Sequence, residues 1–194
     1  EDLWILAWTL PEKRSRWTRP DGLQQLANWI AVEQESDWYC GVALAPQDFG
    51  STKRCRAEDA VGIVGLWADV DIAGPAHSKK NLPPDLEAAQ ELLASVVEAF
   101  PSLAAGPTIT VHSGHGLQAW WLFEKPWIFR EASHGNENIE RAKAQHLVQI
   151  FQAQLRQAAW DKGWDIDTTH DLARVMRIPG TLNHKIEPTV PVCV

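Results

Sequence analysis

The chain of 194 residues has few cysteines, a single tyrosine and no long apolar run. Its cysteines, Cys40, Cys55 and Cys193, form no CxxC pair and leave one thiol over in any disulfide scheme. This excludes a disulfide framework and a cysteine-based structural zinc site, and it fits the reducing cytoplasm. The longest apolar runs, such as 3–7 and 62–68, are far shorter than the roughly 20 residues that span a membrane. We therefore expect a cytoplasmic protein that does not enter a membrane.

Basic residues are also in the minority, with 18 Lys and Arg against 25 Asp and Glu and a formal net charge of -7. A total of this sign argues against a nucleic-acid partner. However, the windows 13–19, 53–56 and 172–185 hold ten of the basic residues and no acidic one. These three windows could therefore form a local basic surface on a protein that is acidic overall. The hypothesised nucleic-acid contacts are Arg14, Arg16, Trp17, Arg19, Lys53, Arg54 and Arg56.

Short apolar runs alternate with amphipathic stretches, which predicts a mixed α/β fold. We predict strands at 3–9, 38–44, 61–72, 108–112, 118–123 and 189–194, and helices at 21–32, 83–100 and 138–160. No repeat, low-complexity tract or linker divides the chain, so we expect one domain over 1–194, with an N-terminal αβ portion (1–60) and a core (61–194). Because the chain begins with Glu1, we expect it to be a piece of a longer protein.

Tryptophan makes up 11 of the 17 aromatic residues. Trp4, Trp8, Trp29 and Trp160 lie in periodic apolar stretches, which favours positions in the core. Trp17 instead lies in a basic window, which makes it the best aromatic candidate for contact with nucleic acid.

Two aspartates, Asp69 and Asp71, end the most apolar predicted strand. Side chains alternate along a strand, so both carboxylates leave the same face. Two carboxylates this close repel each other unless a cation neutralises them, and oxygen ligands select Mg²⁺ or Mn²⁺. A pair of solvated aspartates at a strand end is the simpler interpretation of this pattern taken alone.

Ser113, Gly114, His115 and Gly116 separate two predicted strands. Glycines allow the positive φ values of a tight turn, so a plain hairpin is one interpretation. Backbone N–H groups of such a turn can also form an anion site, where a hydroxyl and an imidazole would suit phosphate oxygens. There is no GxxxxGK motif, which excludes a P-loop.

The stretch 171–185 reads Asp-Leu-Ala-Arg-Val-Met-Arg-Ile-Pro-Gly-Thr-Leu-Asn-His-Lys. The i, i+3 spacing of Asp171 and Arg174 predicts that they share one face of a helical turn, together with Arg177 if the turn continues. Solvated arginines at a helix end are one interpretation. A site for a polyphosphate–metal complex is the other, because basic groups beside a further aspartate suit that ligand.

In this order the three patterns resemble the motifs of the archaeo-eukaryotic primase superfamily, specifically the primase-polymerase domains of phages, plasmids and other mobile elements. The stretch 171–185 is the most specific match, and 65–71 and 113–122 also match well. The resemblance covers about 38–194. It implies an α/β (α+β) catalytic core with a mixed, mostly antiparallel, RRM-like sheet flanked by helices and an N-terminal αβ unit.

The resemblance also implies template-directed primer synthesis or extension by two-metal nucleotidyl transfer with Mg²⁺ or Mn²⁺. Asp69, Asp71 and Asp171 would be the catalytic metal ligands. The nucleotide would be bound by Ser113, Gly114, His115, Gly116, Gln118, Arg174, Arg177, Asn183, His184 and Lys185. The implied partners are a single-stranded DNA template, a primer, dNTPs or NTPs, and a fused or separate helicase.

One residue departs from the family pattern, which usually has a phosphate-binding histidine where this chain has Gln118. An amide can donate a hydrogen bond to phosphate but carries no charge. His115, inside the turn, is a candidate substitute for that histidine.

Other classes of function remain open. A catalytically weakened primase-like domain could serve a replication initiator as a single-stranded DNA-binding module, which Gln118 favours and the three aspartates disfavour. His170 and Asp171 form an HD dyad like that of metal phosphohydrolases, but that class is wholly helical and strands are predicted here. A nicking initiator would need a His-hydrophobic-His pair, which the chain lacks, and a nucleophilic tyrosine, whereas Tyr39 lies in a predicted strand.

Overall fold

The computed structural model describes residues 3–79, 81–130 and 138–194. Strands and helices alternate within these residues, so the predicted α/β class is confirmed. The strands are β1 (Ile5–Leu10), β2 (Ser15–Thr18), β3 (Asp37–Gly41), β4 (Ala43–Leu44), β5 (Gly62–Asp71), β6 (Ile109–His112), β7 (Gly116–Ile128), β8 (Val175–Arg177), β9 (Leu182–Asn183) and β10 (Val190–Pro191). The helices are α1 (Leu23–Val32), α2 (Leu86–Ala99) and α3 (Ile139–Asp161).

Two four-stranded sheets organise the fold, and every strand pair among the described residues is antiparallel. The first sheet has the order β2-β1-β3-β8 and the second the order β4-β5-β7-β6, while β9 and β10 form a separate ribbon. Strand β8 comes late in the chain but pairs with β3, placing Arg177 opposite Tyr39. Strand β4 comes early but pairs with β5. The parts of the chain before and after residue 60 therefore contribute to both sheets.

The second sheet is built around β5, in which Leu66, Trp67, Ala68 and Val70 are buried and only the end of the strand carries carboxylates. Leu66 lies opposite Trp121 of β7, and the Trp121 ring packs edge-on against Phe151 of α3, with centroids 5.1 Å apart. Since side chains alternate along a strand, Asp69 and Asp71 emerge on the face opposite to the helices. The fold thus separates the hydrophobic face of β5 from its acidic face.

Helices α2 and α3 pack against each other and against the second sheet. Each has a side-chain cap at its start: Asp85 accepts a hydrogen bond from the Ala88 N–H, and Asn138 accepts one from the Arg141 N–H. Such caps satisfy backbone donors that have no partner within the helix. Along the free edge of β5, Gln152 of α3 donates its side-chain N–H to the Trp67 carbonyl. The described part of the chain contains no helix of the length and apolar character needed to cross a membrane.

Two of the basic windows have a different local structure from the prediction. Residues 15–18 form strand β2, which is absent from the predicted strands and which alternates a buried Ser15 with an exposed Arg16. Residues 174–177 do not form a helical turn that places Arg174 and Arg177 on one face. An extended β8 instead buries Met176 fully in the core and directs Arg177 toward the first sheet.

The prediction of a core position for Trp160 is wrong, since this residue is 75% exposed. The buried stripe of α3 runs through Val148, Phe151, Leu155 and Ala159. Trp160 follows Ala159 directly and therefore lies about 100° around the helix from that stripe. Trp8, by contrast, is buried as predicted.

Candidate active site

A cavity of about 780 Å³ lies between the two sheets. Strands β1, β3 and β8 of the first sheet and β5 and β7 of the second contribute to its walls. Its lining is Trp8, Leu10, Lys13, Asp37, Tyr39, Arg54, Asp69, Asp71, His77, Ser113, His115, Gln118, Arg174, Val175, Arg177, Asn183 and Lys185. The structure thus gathers residues from all three sequence motifs around one space.

The acidic side of the cavity is formed by Asp69 and Asp71 at the end of β5, on one face as predicted. Burial, and then the neighbouring Asp71 charge, raise the pKa of the Asp69 carboxyl to about 6. A hydrogen bond of 3.1 Å from Gln118 Nε2 to Asp69 Oδ1 acts in the opposite direction. The carboxyl pair therefore sits in surroundings that favour a cation beside it.

The donor set at this place fits a hard divalent cation. Proteins usually bind Mg²⁺ through one or two carboxylates, with water and substrate phosphates completing its shell. Within the described ranges, no cluster of three or more His, Cys, Asp or Glu side chains has the arrangement of a preformed metal site. Asp69 and Asp71 could therefore hold Mg²⁺ or Mn²⁺ only together with ligands from outside the protein.

Asp171, the predicted third metal ligand, does not line the cavity. Its half-exposed carboxylate pairs with Arg174 across 3.2 Å. Arg174 lines the cavity, and its charge favours the ionised form of Asp69. Asp171 is thus connected to the acidic pair through Arg174, and its role as a metal ligand stays a prediction.

His77, in the segment after β5, is a site residue that sequence reasoning missed. Its ring lies with Nδ1 3.2 Å from Asp71 Oδ2 and 3.2 Å from Lys185 Nζ. Its Nε2 lies 3.2 Å from the carbonyl oxygen of His115. The His77 side chain, only 9% exposed, therefore joins the acidic pair, the glycine turn and the basic stretch. A single histidine outside every motif gives no sequence signal of this kind.

In the turn at 113–116, neither Gly114 nor Gly116 leaves room for a side chain. Gly114 has a φ of 92°, and a Cβ there would lie 2.4 Å from Val190 Cγ2. A Cβ on Gly116 would lie 2.4 Å from the Val70 carbonyl oxygen. The glycines let the turn approach β5 and β10, and Ser113 and His115 line the cavity while Gly114 and Gly116 do not.

Two nitrogen atoms of cavity-lining side chains are buried without a hydrogen-bond partner in the described structure, His115 Nε2 and Arg174 Nε. Burial, followed by repulsion from His77 and Lys185, lowers the pKa of the His115 imidazole. His115 is therefore neutral near pH 7 and can donate from Nε2 in the tautomer that carries its proton there. Buried polar groups without partners are uncommon, and phosphate oxygens would satisfy both of these.

Arg177 lines the cavity, but its positive charge is already balanced by the Asp37 carboxylate. Its guanidinium makes two hydrogen bonds to the Asp37 carboxylate, of 3.1 and 3.4 Å, and lies 4.8 Å from the centroid of the Tyr39 ring. Asp37 also accepts from the His184 N–H at 2.8 Å. Burial alone would raise the pKa of Asp37, but Arg177 and His184 together lower it below its ordinary value. Sequence reasoning missed Asp37, and His184 contacts Asp37 rather than lining the cavity.

The two side-chain amides of the motifs make hydrogen bonds within the protein. Gln118 donates to Asp69 and accepts from the Arg177 N–H at 2.7 Å, so it connects β5 with β8. Asn183 is buried and donates to the Ser113 carbonyl, holding the glycine turn against the basic stretch. In this structure one Nε2–H of Gln118 is bonded to Asp69, which leaves its second N–H for the predicted contact with phosphate.

The nucleic-acid contacts predicted in the first basic window (13–19) do not line the cavity. These residues are Arg14, Arg16, Trp17 and Arg19. The Arg16 guanidinium lies 3.5 Å from the centroid of the Trp29 ring, and that of Arg19 lies 5.2 Å from the Trp4 ring. The indole of Trp17 packs edge-on against a neighbouring phenyl ring and donates from Nε1 to a backbone carbonyl at 3.1 Å. Lys13, which the prediction omitted, does line the cavity.

The fold is similar to that of the AEP domain of a phage primase-polymerase, as a comparison with solved structures shows. The AEP domain of the cyanophage S-2L primase-polymerase matches 98% of this chain and 80% of that chain, with a TM-score of 0.50 and 13% sequence identity. At this identity the likeness extends to the fold alone. No family model matches the sequence, and no curated protein matches it.

Proposed function

We propose that this chain is a metal-dependent nucleotidyltransferase of the primase-polymerase kind, which adds nucleotides to a nucleic-acid 3′-hydroxyl under the direction of a template. The observation that carries the proposal is the cavity, where two strand-end carboxylates face a wall of cations. Its volume of about 780 Å³ suits a ligand of the size of a nucleoside triphosphate. The fold shared with a primase-polymerase domain supports the same class of chemistry.

The charges in the cavity match a metal-bound triphosphate. The basic residues are Lys13, Arg54, Arg174, Arg177 and Lys185, and the acidic residues are Asp37, Asp69 and Asp71. Arg177 is paired with Asp37 and Arg174 with Asp171. The charges of Lys13, Arg54 and Lys185 and the unpartnered Nε–H of Arg174 remain to bind phosphate oxygens, and two carboxylates remain to bind a cation. Neither half of the site would suit a neutral ligand.

The residues of the chain would then act in three ways. Asp69 and Asp71 would hold Mg²⁺ or Mn²⁺, which when bound lowers the pKa of a 3′-hydroxyl and neutralises phosphate charge. Arg174, Lys185 and the His115 Nε2–H would bind the triphosphate and stabilise the charge that develops on the departing pyrophosphate.

A second candidate is a primase-like module that binds single-stranded DNA without synthesis. The position of Asp171 outside the cavity and the internal hydrogen bonds of the Gln118 amide favour this candidate. The phosphohydrolase hypothesis is not favoured, because the fold has two sheets rather than helices alone.

A nucleotide-incorporation assay distinguishes these functions. The protein is incubated with labelled dNTPs or NTPs, with Mg²⁺ or Mn²⁺, on primed and unprimed single-stranded DNA. We expect a product that depends on both template and metal, and no product from the folded Asp69→Asn/Asp71→Asn variant. Retention of DNA without synthesis by the unmodified protein would support the binding module, and release of phosphate without synthesis would support a hydrolase.

A further inference from the structure

A second cavity, of about 850 Å³, lies beside the first. It is lined by Phe49, Lys53, Arg54, Cys55, Arg56, Ala57, Glu58, Asp59 and Ala173. Arg54 lines both cavities, and Ala173 of the second immediately precedes Arg174 of the first. The two cavities therefore share Arg54 in their walls and are neighbours in the structure.

The segment that separates the cavities is fixed to the first sheet. The buried Ser15 of β2 donates its hydroxyl to the Lys53 carbonyl. Its N–H donates to the Ser51 carbonyl at 2.8 Å. These bonds hold the backbone before Arg54 in place while the Lys53 and Arg54 side chains are exposed. Two cations are thus positioned at the junction before any ligand binds.

The three basic residues of this segment differ in how their charge is balanced. Arg56 pairs with Asp59 at 2.7 Å and with Glu58 at 3.1 Å. Lys53 and Arg54 form no ion pair with any described residue, and the Arg54 guanidinium lies 5.4 Å from the centroid of the Trp8 ring. An anion that enters the junction would therefore meet Lys53 and Arg54, while the charge of Arg56 is largely neutralised.

The remaining wall of the second cavity is apolar, with Phe49, Cys55, Ala57 and Ala173. Two available cations beside an aromatic and aliphatic surface suit the phosphate and the base of a nucleotide. A space of 850 Å³ holds one or two unpaired nucleotides but no duplex. Nucleic acid in single-stranded form matches all of these features.

We infer that the second cavity binds the single strand of nucleic acid that leaves the reaction cavity, with a phosphate on Lys53 and Arg54 and a base against Phe49. This inference rests on the proposed function, since that function puts a nucleic-acid end in the first cavity. It assigns the strand to one side of the molecule, away from Arg16 and Arg19 of the first basic window.

Binding of a fluorescent oligonucleotide of about twelve nucleotides tests the inference, measured by anisotropy over a range of salt concentrations without metal or nucleotide. We expect Lys53→Ala/Arg54→Ala to weaken binding about tenfold or more and to reduce the slope of log affinity against log salt by about 1 to 2. Lys125→Ala/Arg156→Ala removes the same charge from residues that line neither cavity and should change affinity less than about twofold. Equal losses in the two double variants would overturn the inference.

A second measurement locates the strand. Oligonucleotides carrying a photoreactive thymine analogue at successive distances from the 3′ end are crosslinked to the unmodified protein, and mass spectrometry identifies the modified peptide. Crosslinks within 49–59, or to Trp17, whose ring packs against Phe49, support the inference, and crosslinks confined to 19–29 contradict it. If strand binding depends on Lys53 and Arg54 but no nucleotide is incorporated, the proposed function fails while the strand site stands. If nucleotides are incorporated and both variants bind like the unmodified protein, the strand site fails alone.

Discussion

The acidic wall contributed by β5 and the basic wall contributed by residues 174–185 face the same cavity, but their charges are held in different ways. In the basic wall, Arg177 is paired with Asp37 and Arg174 with Asp171. In the acidic wall, Asp69 has an amide as its hydrogen-bond partner and a second carboxylate as its neighbour. The charges of Arg174 and Arg177 are therefore balanced within the protein, whereas Asp69 forms no ion pair with any described residue. On the proposed function, a cation bound with the substrate would balance the acidic wall.

The pKa directions of two carboxyls express this difference. Folding lowers the pKa of Asp37 below its value of 3.8 in the unfolded chain. Ionised Asp37 therefore stabilises the fold at pH values above 3.8, and this stabilisation is lost as the pH falls through the lower pKa of the folded state. The pKa of Asp69 is raised to about 6. Stability associated with protonated Asp69 is present below 3.8 and is lost as the pH rises through about 6. The metal-free site thus lowers stability at neutral pH, which is expected where a fold preserves a binding site.

The largest effect is expected when both carboxylates of the acidic wall are removed. Asp69→Asn/Asp71→Asn should decrease nucleotide incorporation by about a thousandfold or more, because the cation would lose its protein ligands. Circular dichroism should show an unchanged fold. Substantial primer extension by this variant would contradict the difference between the two walls, since the acidic wall would then not be needed to hold a metal ion.

The next largest effect concerns the ion pair in the basic wall. Asp37→Asn should lower the free energy of unfolding by about 3 kcal/mol, because it leaves the buried Arg177 charge without its partner. Urea denaturation measures this difference, and the Asp37→Asn/Arg177→Met double variant should lose less than the sum of the single variants. A change below about 0.5 kcal/mol, typical of a surface substitution, would show that the wall does not depend on this pair.

A smaller effect of opposite sign is expected from Asp69→Asn alone. At neutral pH and without metal, the free energy of unfolding should rise by about 1–3 kcal/mol, because burial and Asp71 both disfavour the Asp69 charge. The gain should disappear as the pH falls below about 4, where Asp69 is protonated in both states. Urea denaturation across this pH range checks the sign, and a variant that is less stable at neutral pH would contradict the account of the acidic wall.

His77 contacts both Asp71 of the acidic wall and Lys185 of the basic wall, so its removal should loosen the position of Asp71. His77→Ala should decrease Mn²⁺ affinity about tenfold, because a side chain that orients a metal-binding carboxylate commonly contributes this much. Electron paramagnetic resonance of free Mn²⁺ measures the affinity without any activity assay. His146→Ala, an exposed position on α3, is the matched control, and equal affinities of the two variants would remove His77 from the site.

The smallest effect is a difference in DNA affinity between variants of two arginines, Arg16 and Arg54, each of which lies near an indole ring. Arg16 lies over Trp29 outside the cavity, and Arg54 lies near Trp8 within it. Arg16→Ala should change single-stranded DNA affinity less than about twofold, whereas Arg54→Ala should decrease it several-fold. Anisotropy at low salt measures both, and a larger loss for Arg16→Ala would move the nucleic-acid path to the other side of the first sheet.

Local patterns were sufficient to predict the parts of the fold and site that depend on neighbouring residues. The apolar run 61–72 predicted the strand that carries Asp69 and Asp71, and its period of two predicted their common face. Ser113 and His115 were placed correctly at a turn between strands. The order of the motifs also led to the fold that the structure shows.

Contacts between distant segments could not be predicted in the same way. Asp37 pairs with Arg177 across 140 positions of sequence, and His77 meets Lys185 across 108. Neither Asp37 nor His77 lies in a motif, so nothing local marks them. The helical spacing correctly predicted the pairing of Asp171 with Arg174. The turn does not continue to Arg177, because tertiary burial of Met176 favours a strand at 175–177.

The pairing of β8 with β3 has a consequence for synthesis on the ribosome. Strand β3 is complete by residue 41, but its partner is not translated until residues 175–177. Until then β3 presents an unpaired edge on that side, and such edges promote association between nascent chains. Arg177 and Lys185 are translated with β8 or after it, so nascent chains that stop before residue 174 would carry the carboxylates of β5 without the basic wall. We expect such truncated chains to depend on chaperones, since the cavity can form only after residues 174–185 have been translated.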